Sequence, residues 1–373
     1  MAGAEDRYVF HMEWLDAQAD LIRRYTLTFY PRDNSIEMYD PKNKRAFMKR
    51  MPYEAVKLKD IYIGSVVTVH GRQLRCIDYA DEYTKKVLET AKNRTLALIK
   101  PDAYNAMGVV LNAIQAAGFV VARLKMVRMD AQTAAAFCAT EGLGQEDQAH
   151  LAADVCVAIE IVGDDAVGKW KAIVGPAEPS QARREAPRSL RAQLASDAVR
   201  NAVHASANDH VAEQQIEFFF GQYFPTTAIF QNCTLCVVRP HAFPHAGEIV
   251  TAILEAKFEI SAMGVWYMDR ATAEEFLEVY KGVMPEYHDS CAQLCTGPSL
   301  VMEVRQQDAV PALRQLVGPH DPEVAKHLRP KTLRAKYGVD RVLNAVHCTD
   351  LPEDGLLEVE YFFNILHERG QGN

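Results

Sequence analysis

The sequence predicts an α+β protein in three parts: a small, mainly β leader and two similar units, each ordered βαββαβ. Three observations predict it. The chain states one phrase twice: residues 94–103 read Arg-Thr-Leu-Ala-Leu-Ile-Lys-Pro-Asp-Ala, and residues 233–242 read Cys-Thr-Leu-Cys-Val-Val-Arg-Pro-His-Ala. A second matched phrase closes each copy, Arg200-Asn201-Ala202-Val203-His204 and Leu343-Asn344-Ala345-Val346-His347. Between these markers strand-like and helix-like patterns alternate in the same order twice, which builds helices on one face of an antiparallel sheet.

The leader opens the element list. Residues 24–30 and 36–39 read as strands flanking Pro31-Arg32-Asp33-Asn34, a strong turn signal. Strands are expected at 61–69 and 73–79 with Gly71 turning between them, then a short polar helix or linker over 81–92. The first unit follows with strand 95–99, helix 109–117 ended by Gly118, strand 119–126, helix 131–139 and strand 155–162. The second repeats this with strand 234–238, helix 248–256, strand 258–268, helix 272–281 and strand 299–304. Phe218-Phe219-Phe220 and Tyr361-Phe362-Phe363 form matching aromatic helix ends, and residues 222–231 are the linker. The domains are therefore placed at 1–91, 92–222 and 230–368.

Composition narrows the function. With 49% hydrophobic and 24% charged residues the 373-residue chain is globular. Its net charge of -8 argues against bulk nucleic-acid binding. The leader is the less acidic part, and the basic run Lys42, Lys44, Arg45, Lys49, Arg50 reads as a solvated face. No run is long enough to cross a bilayer, so no membrane partner is expected. The eight cysteines form no disulfide framework, which suits a reducing compartment. Cys233 and Cys236 lie in one strand three residues apart, on opposite faces, so no metal site is expected of them. A cation before proline and a histidine in Asn-Ala-Val-His, kept in register twice, is a phosphate-handling pattern.

These phrases resemble the nucleoside diphosphate kinase family, over residues 92–220 and again over 230–366. That family carries Lys-Pro-Asp at a strand end and a catalytic histidine in Asn-x-x-His. Ser189-Leu190-Arg191 and Thr332-Leu333-Arg334 are similar to its Thr-Ile-Arg, and Gly175-Pro176 and Gly318-Pro319 to the turn before its phosphate-contacting loop. The resemblance implies two ferredoxin-like domains. The three-part order resembles one branch of the family, in which a DM-type module precedes two kinase-like domains. That branch is ciliary. The likeness therefore implies an axoneme, cilium or flagellum location, with the centrosome or basal body as the neighbouring cytoplasmic setting. It implies tubulin, microtubules and other ciliary doublet proteins as partners.

The implied chemistry moves a γ-phosphate through a phosphohistidine, with a neutral imidazole as nucleophile and fixed cations around the phosphates. Mg²⁺ arrives with ATP or another nucleotide. By resemblance, His204 and His347 are the nucleophiles. Lys100, Lys171, Arg191 and Asn201 form the first nucleotide site; Arg239, Arg314, Arg334 and Asn344 form the second. Glu358 orients the second histidine, whereas Gln215 stands in that place in the first unit. The family pattern breaks further. Lys171 replaces an arginine and lacks its bidentate fork. Ala177 and His320 replace a threonine, and Arg239 replaces the lysine. The base-stacking Arg-Pro-Phe-Phe is absent: the first unit has Glu141–Gln148 there and the second has Met284-Pro285-Glu286-Tyr287. His241, His245, His288 and His327 match no family position and are expected at the surface.

Two functions remain. One is a structural, nucleotide-sensitive protein of ciliary microtubules with weak phosphotransfer, and the other a working kinase that supplies GTP near microtubules. The worn base-binding segments favour the first. Linking two units on one chain should also produce an internal pseudo-dimer.

Overall fold

The computed structural model describes residues 7–16, 19, 21–88 and 93–369. By contacts the chain divides into two compact units: residues 1–92 with 267–297, and residues 93–266 with 298–373. The expected boundary at 91–92 lies outside the described residues.

The first unit is built on an antiparallel six-stranded sheet. Its strands are β1 (Tyr8–Asp16), β2 (Leu21–Tyr30), β3 (Ser35–Asp40), β4 (Arg45–Pro52), β5 (Val66–Val69) and β6 (Arg72–Tyr79). Their order is β4-β3-β2-β1-β6-β5. One face carries the core of Phe10, Met12, Leu27, Ile36 and Leu74. β4 holds most of the basic run. It is an edge strand whose side chains are nearly all exposed, and lysines on an edge discourage pairing with another chain. Arg50 is the exception to a merely solvated face, since its guanidinium bonds Asp33 and Ser35 and stacks on the Tyr30 ring at 3.7 Å. Residues 267–297 join this unit, where Gln73 Nε2 donates to the Met268 carbonyl at 2.5 Å.

The second unit contains both halves of the repeat. The first half supplies β7 (Asn93–Ile99), β8 (Val120–Arg128), β9 (Val155–Gly163) and β10 (Val203–Ala205). The second supplies β11 (Cys233–Val238), β12 (Glu259–Trp266), β13 (Ser299–Arg305) and β14 (Val346–Cys348). All eight form one sheet in the order β10-β7-β9-β8-β12-β13-β11-β14. Each half therefore has its fourth strand beside its first, its first beside its third and its third beside its second, as βαββαβ demands. The two halves meet edge to edge, with Gly264 on β12 opposite Lys125 on β8. The expected internal pseudo-dimer is thus a continuous sheet.

Helices Met107–Ala116 and Ala246–Glu255 cross over this seam. They approach closely because each presents glycine. A Cβ on Gly108 would sit 2.5 Å from the Gly247 carbonyl and 2.6 Å from Thr251 N, and one on Gly247 would sit 2.6 Å from Asn112 N. Gln115 Nε2 donates across to Phe243 O at 2.6 Å, and the Tyr104 hydroxyl bridges Ile260 N and O. Among the described residues no helix is long and apolar enough to cross a membrane.

Replacing Gly108 by valine forces these backbones apart. We expect a loss of about 1–3 kcal/mol, the usual cost of overpacking. Urea denaturation of G108V against the exposed helical control Gln132→Ala measures it.

Candidate phosphotransfer site

The two halves hold their histidines in the same frame. β10 and β14 are only three residues long, and each lies beside its half's first strand, so that His204 pairs with Leu98 and His347 with Val237. The chain enters each short strand through a left-handed alanine, Ala202 at φ 68° and Ala345 at φ 70°. A non-glycine residue there costs about 1–3 kcal/mol and persists only where its surroundings impose it. They do so identically. Lys100 N donates to Ala202 O, and Arg239 N to Ala345 O, both at 2.9 Å.

In the first half, His204 Nε2 meets Gln215 Oε1 at 3.1 Å. Gln215 sits on helix Asp209–Phe220, fully buried. Its Oε1 also accepts from Ser206 Oγ at 2.7 Å, and its Nε2 donates to Thr140 Oγ1 at 3.0 Å. The amide orientation fixes the imidazole: Nε2 carries the proton and Nδ1 the lone pair. Burial first, then the charges of Lys100 and Arg191, push this histidine down to about 4 against the Gln215 hydrogen bond. It is neutral at physiological pH, the state a nucleophile needs.

The cations around it are partly spent. Lys100, only 4% exposed, donates to Val199 O at 3.0 Å and lies 3.6 Å from Asp147 Oδ1. Burial lowers its pKa, partly offset by Asp147. Lys171 donates to Ala207 O at 3.1 Å. Glu141 accepts from Ala207 N at 2.6 Å and brings Oε2 to 3.7 Å from His204 Nε2. Burial raises the Glu141 pKa, and Lys171 and Arg191 pull it back. Two carboxylates from the shortened segment therefore stand among the cations of the first half.

The second half repeats the frame with different charges. His347 Nε2 meets Glu358 Oε2 at 2.8 Å, and Thr349 Oγ1 donates to that same oxygen at 2.8 Å. Arg239, 2% exposed, donates through Nη1 to Val342 O at 3.0 Å. This is the carbonyl equivalent to the one Lys100 uses. Arg314 bonds the Asp350 carbonyl and carboxylate. A cleft of about 530 Å³ opens beside Arg314, His320, Arg329, Arg334 and Asp350.

Residues 2–90 match the family described as nucleoside diphosphate kinase 7 N-terminal PH domain, and residues 93–223 and 232–367 each match nucleoside diphosphate kinase. Nucleoside diphosphate kinase homolog 7 of Rattus norvegicus is 46% identical over 97% of this chain and 94% of its own; that of Mus musculus gives the same figures. The chain belongs to the nucleoside diphosphate kinase family. A solved nucleoside diphosphate kinase of Aquifex aeolicus is 35% identical over 35% of this chain and 96% of its own, at a TM-score of 0.34. The leader expected as a DM-type module is the part that matches the PH domain of homologue 7.

Arg191, partly buried, and Arg334, buried, were expected as phosphate clamps and are both bonded to backbone. Arg191 donates to Val203 O twice and to Gly175 O; Arg334 donates to Val346 O and Gly318 O and touches Cys348 Sγ. Burial draws Arg191 down to about 10, so it stays charged. Asn201 Nδ2 donates to Ala198 O at 2.7 Å, and Asn344 Nδ2 faces His320 Nδ1 at 3.2 Å. In both, Oδ1 is buried without a partner, an acceptor of the kind a sugar hydroxyl satisfies. Residues 284–287 belong to the other compact unit. In the first half a cleft of about 720 Å³ opens beside Glu146, His150 and residues 197–200. Its one ring is His150, held by Asp102 at 2.8 Å, with no stacking phenylalanine.

Sequence reasoning missed several residues. Asp102 Oδ2 accepts from Ala202 N at 2.8 Å, which holds the strained alanine. His241, expected at the surface, is half-buried and its Nε2 accepts from Ala345 N at 3.2 Å in the equivalent place. Burial and Arg239 push it down to about 4, which keeps it neutral and able to accept. The shared position after Lys-Pro and Arg-Pro was the signal. Ser206 and Thr349, two residues after each histidine, were equally visible as a pair.

His204 and His241 both have pKa values depressed to about 4 in the fold, against about 6.5 in an unfolded chain. Their contribution is complete above pH 6.5 and declines as pH falls towards 4, because the unfolded chain takes up protons the fold refuses. Melting temperature across pH 4–8 should fall on the acid side, and less steeply in H204Q than in wild type. In Gln215→Glu, the His204 proton affinity should rise, read as an acid-to-neutral shift of its imidazole NMR titration.

Proposed function

We propose that this chain is a nucleotide-binding protein of ciliary doublet microtubules, with weak phosphotransfer surviving mainly in its second kinase-like half through His347. The observation that carries the activity reading is the pair His347–Glu358, joined to an arginine-lined cleft through Arg334, which lines the cleft and bonds the carbonyl of Val346. Taking a phosphoryl group leaves the imidazole more positive, and a carboxylate at Nε2 stabilises that charge where an amide does not. In the first half, Gln215 supplies an amide, and Asp147 and Glu141 compete with polyphosphate for Lys100, Lys171 and Arg191.

Mg²⁺ fits this reading as part of the incoming nucleotide. The cleft offers arginines and one carboxylate, Asp350, not the oxygen cage of a resident ion. Arg314, Arg334 and Arg239 would face the phosphates, and Asn344 Oδ1 would take a sugar hydroxyl. The ion would shield phosphate charge when bound; the protein's own part is to hold the imidazole neutral and aligned. The ciliary setting rests on the likeness to the branch with a leader module and two kinase-like domains, and tubulin is the partner proposed with it.

A second reading, a working kinase that supplies GTP beside microtubules, has in its favour that both histidines keep a hydrogen-bonded Nε2. Incubation with γ-labelled ATP and Mg²⁺ tests the pair. We expect an acid-labile label that H347A lowers at least about tenfold and H204A lowers little, with co-sedimentation on microtubules unchanged. Equal loss in both variants would reject the asymmetry, and turnover typical of the family would favour the second reading. In Q215E/D147N, label at His204 should rise by about tenfold or more, which is ~1.4 kcal/mol.

A further inference from the structure

The seam of the eight-stranded sheet holds a feature unrelated to either histidine. Lys125 projects from β8 at the one position paired with β12, opposite Gly264. It is only 7% exposed and, among the described residues, makes no ion pair. Its neighbour Arg123 is matched by Glu160 at 2.5 Å, whereas Lys125 meets only the rings of Phe220 and Phe224, at 5.4 and 5.0 Å. Burial and the charge of Arg123 draw its amine down to about 8, and still a large share is ammonium at neutral pH.

Lys125 lines a cavity between the halves, covered by the linker residues Phe224 and Thr227 and bounded by Gly264, Trp266 and His367. Two further donors in this lining are orphans. Trp266, 4% exposed, has a buried Nε1–H without a partner, and Thr227 has a buried hydroxyl without one. His367 spends its Nε2–H on Phe224 O at 3.0 Å. No carboxylate lines the space. A buried ammonium without a counter-charge, and an indole N–H and a hydroxyl without partners, each carry a desolvation cost, and such groups in native structures call for a missing partner. A partner suited to this lining accepts hydrogen bonds and carries negative charge. It must also be small, since only about 20 Å³ of the void admits the centre of a water molecule. That admits a monatomic ion and rejects a nucleotide.

We propose that the seam between the two kinase-like halves is a binding site for one small monovalent inorganic anion of the chloride class, held by Lys125 with Trp266 and Thr227. The site is independent of phosphotransfer. Its occupant ties β8, β12 and the linker together, so it stabilises the pairing of the halves.

The test uses the full chain, dialysed into sodium gluconate and titrated with sodium chloride at constant ionic strength. The protein has three tryptophans, and the Trp266 indole resonance in ¹⁵N-labelled protein is assigned by its loss in W266F. Chloride should move that resonance saturably in wild type and raise the melting temperature in parallel. K125M should weaken both responses at least about tenfold. Should a variant fail to fold, bromide soaked into wild-type crystals must give an anomalous peak within hydrogen-bond distance of Lys125 Nζ. An indole resonance that gluconate-to-chloride exchange leaves unmoved overturns the proposal. So does an undiminished response in K125M, or a seam holding only water in the bromide crystals.

Discussion

Two arginines, Arg191 and Arg334, are the struts on which each candidate site depends. A strand of three residues cannot hold an imidazole by its ladder alone, least of all when the residue entering it is a left-handed alanine. Each guanidinium takes the carbonyl of the valine before the histidine and, with its other arm, the carbonyl of Gly175 or Gly318. Those glycines have to be glycines: φ is 82° and 89°, and a Cβ would fall 2.5 Å from Ser189 Cβ or 2.6 Å from Thr332 Cβ. Charge-assisted bonds to two carbonyls therefore clamp a strained segment against a turn that only glycine can make. The arginine that family likeness casts as a ligand for phosphate is here first a structural tie.

On this common frame the halves have diverged in charge rather than in shape. The backbone anchors of Lys100 and Arg239 coincide, as do the alanines and the hydrogen bonds at Nε2. What differs is the sign and number of groups nearby. The first half adds Glu141 and Asp147 and loses the carboxylate on its closing helix; the second keeps Glu358 and opens a cleft walled by arginines. Because the interior strengthens each of these interactions, a few substitutions suffice to separate two sites of equal geometry.

The repeat itself was legible in the sequence because it is a pattern of types: cation before proline, then Asn-Ala-Val-His. Strands of the core were legible through unbroken apolar runs such as 95–99 and 155–162. β1 and β4 were not. β4 pairs on one side only and exposes both faces, so no period of two marks it. Residues 61–69 contain a true strand only from Val66, preceded by a short helical turn at Leu58–Asp60. In the site, residues that match the family at fixed spacing could be read. Glu141 and Asp147 could not, since a shortened segment aligned to a lost motif says what is missing and not what replaces it. His241 was invisible as a site residue for the same reason: its role is to substitute for an aspartate by a different chemistry, lone pair for carboxylate.

The seam shows what covalent duplication permits. Lys125 and Gly264 occupy equivalent positions, each five residues before the aspartate that caps the next helix, Asp130 and Asp269. In a two-fold dimer of identical chains, a residue on the axis faces its own copy. Two lysines there would crowd one cavity with like charge, and two glycines would leave it empty. Joining the copies on one chain frees the two positions to differ, so that one supplies an ammonium and the other the room for it. The Trp266 ring then closes over Gly264, where a Cβ would come within 2.7 Å of the indole. An asymmetric pair at a pseudo-symmetric axis is therefore open to the fused form of this fold and closed to a dimer of identical chains.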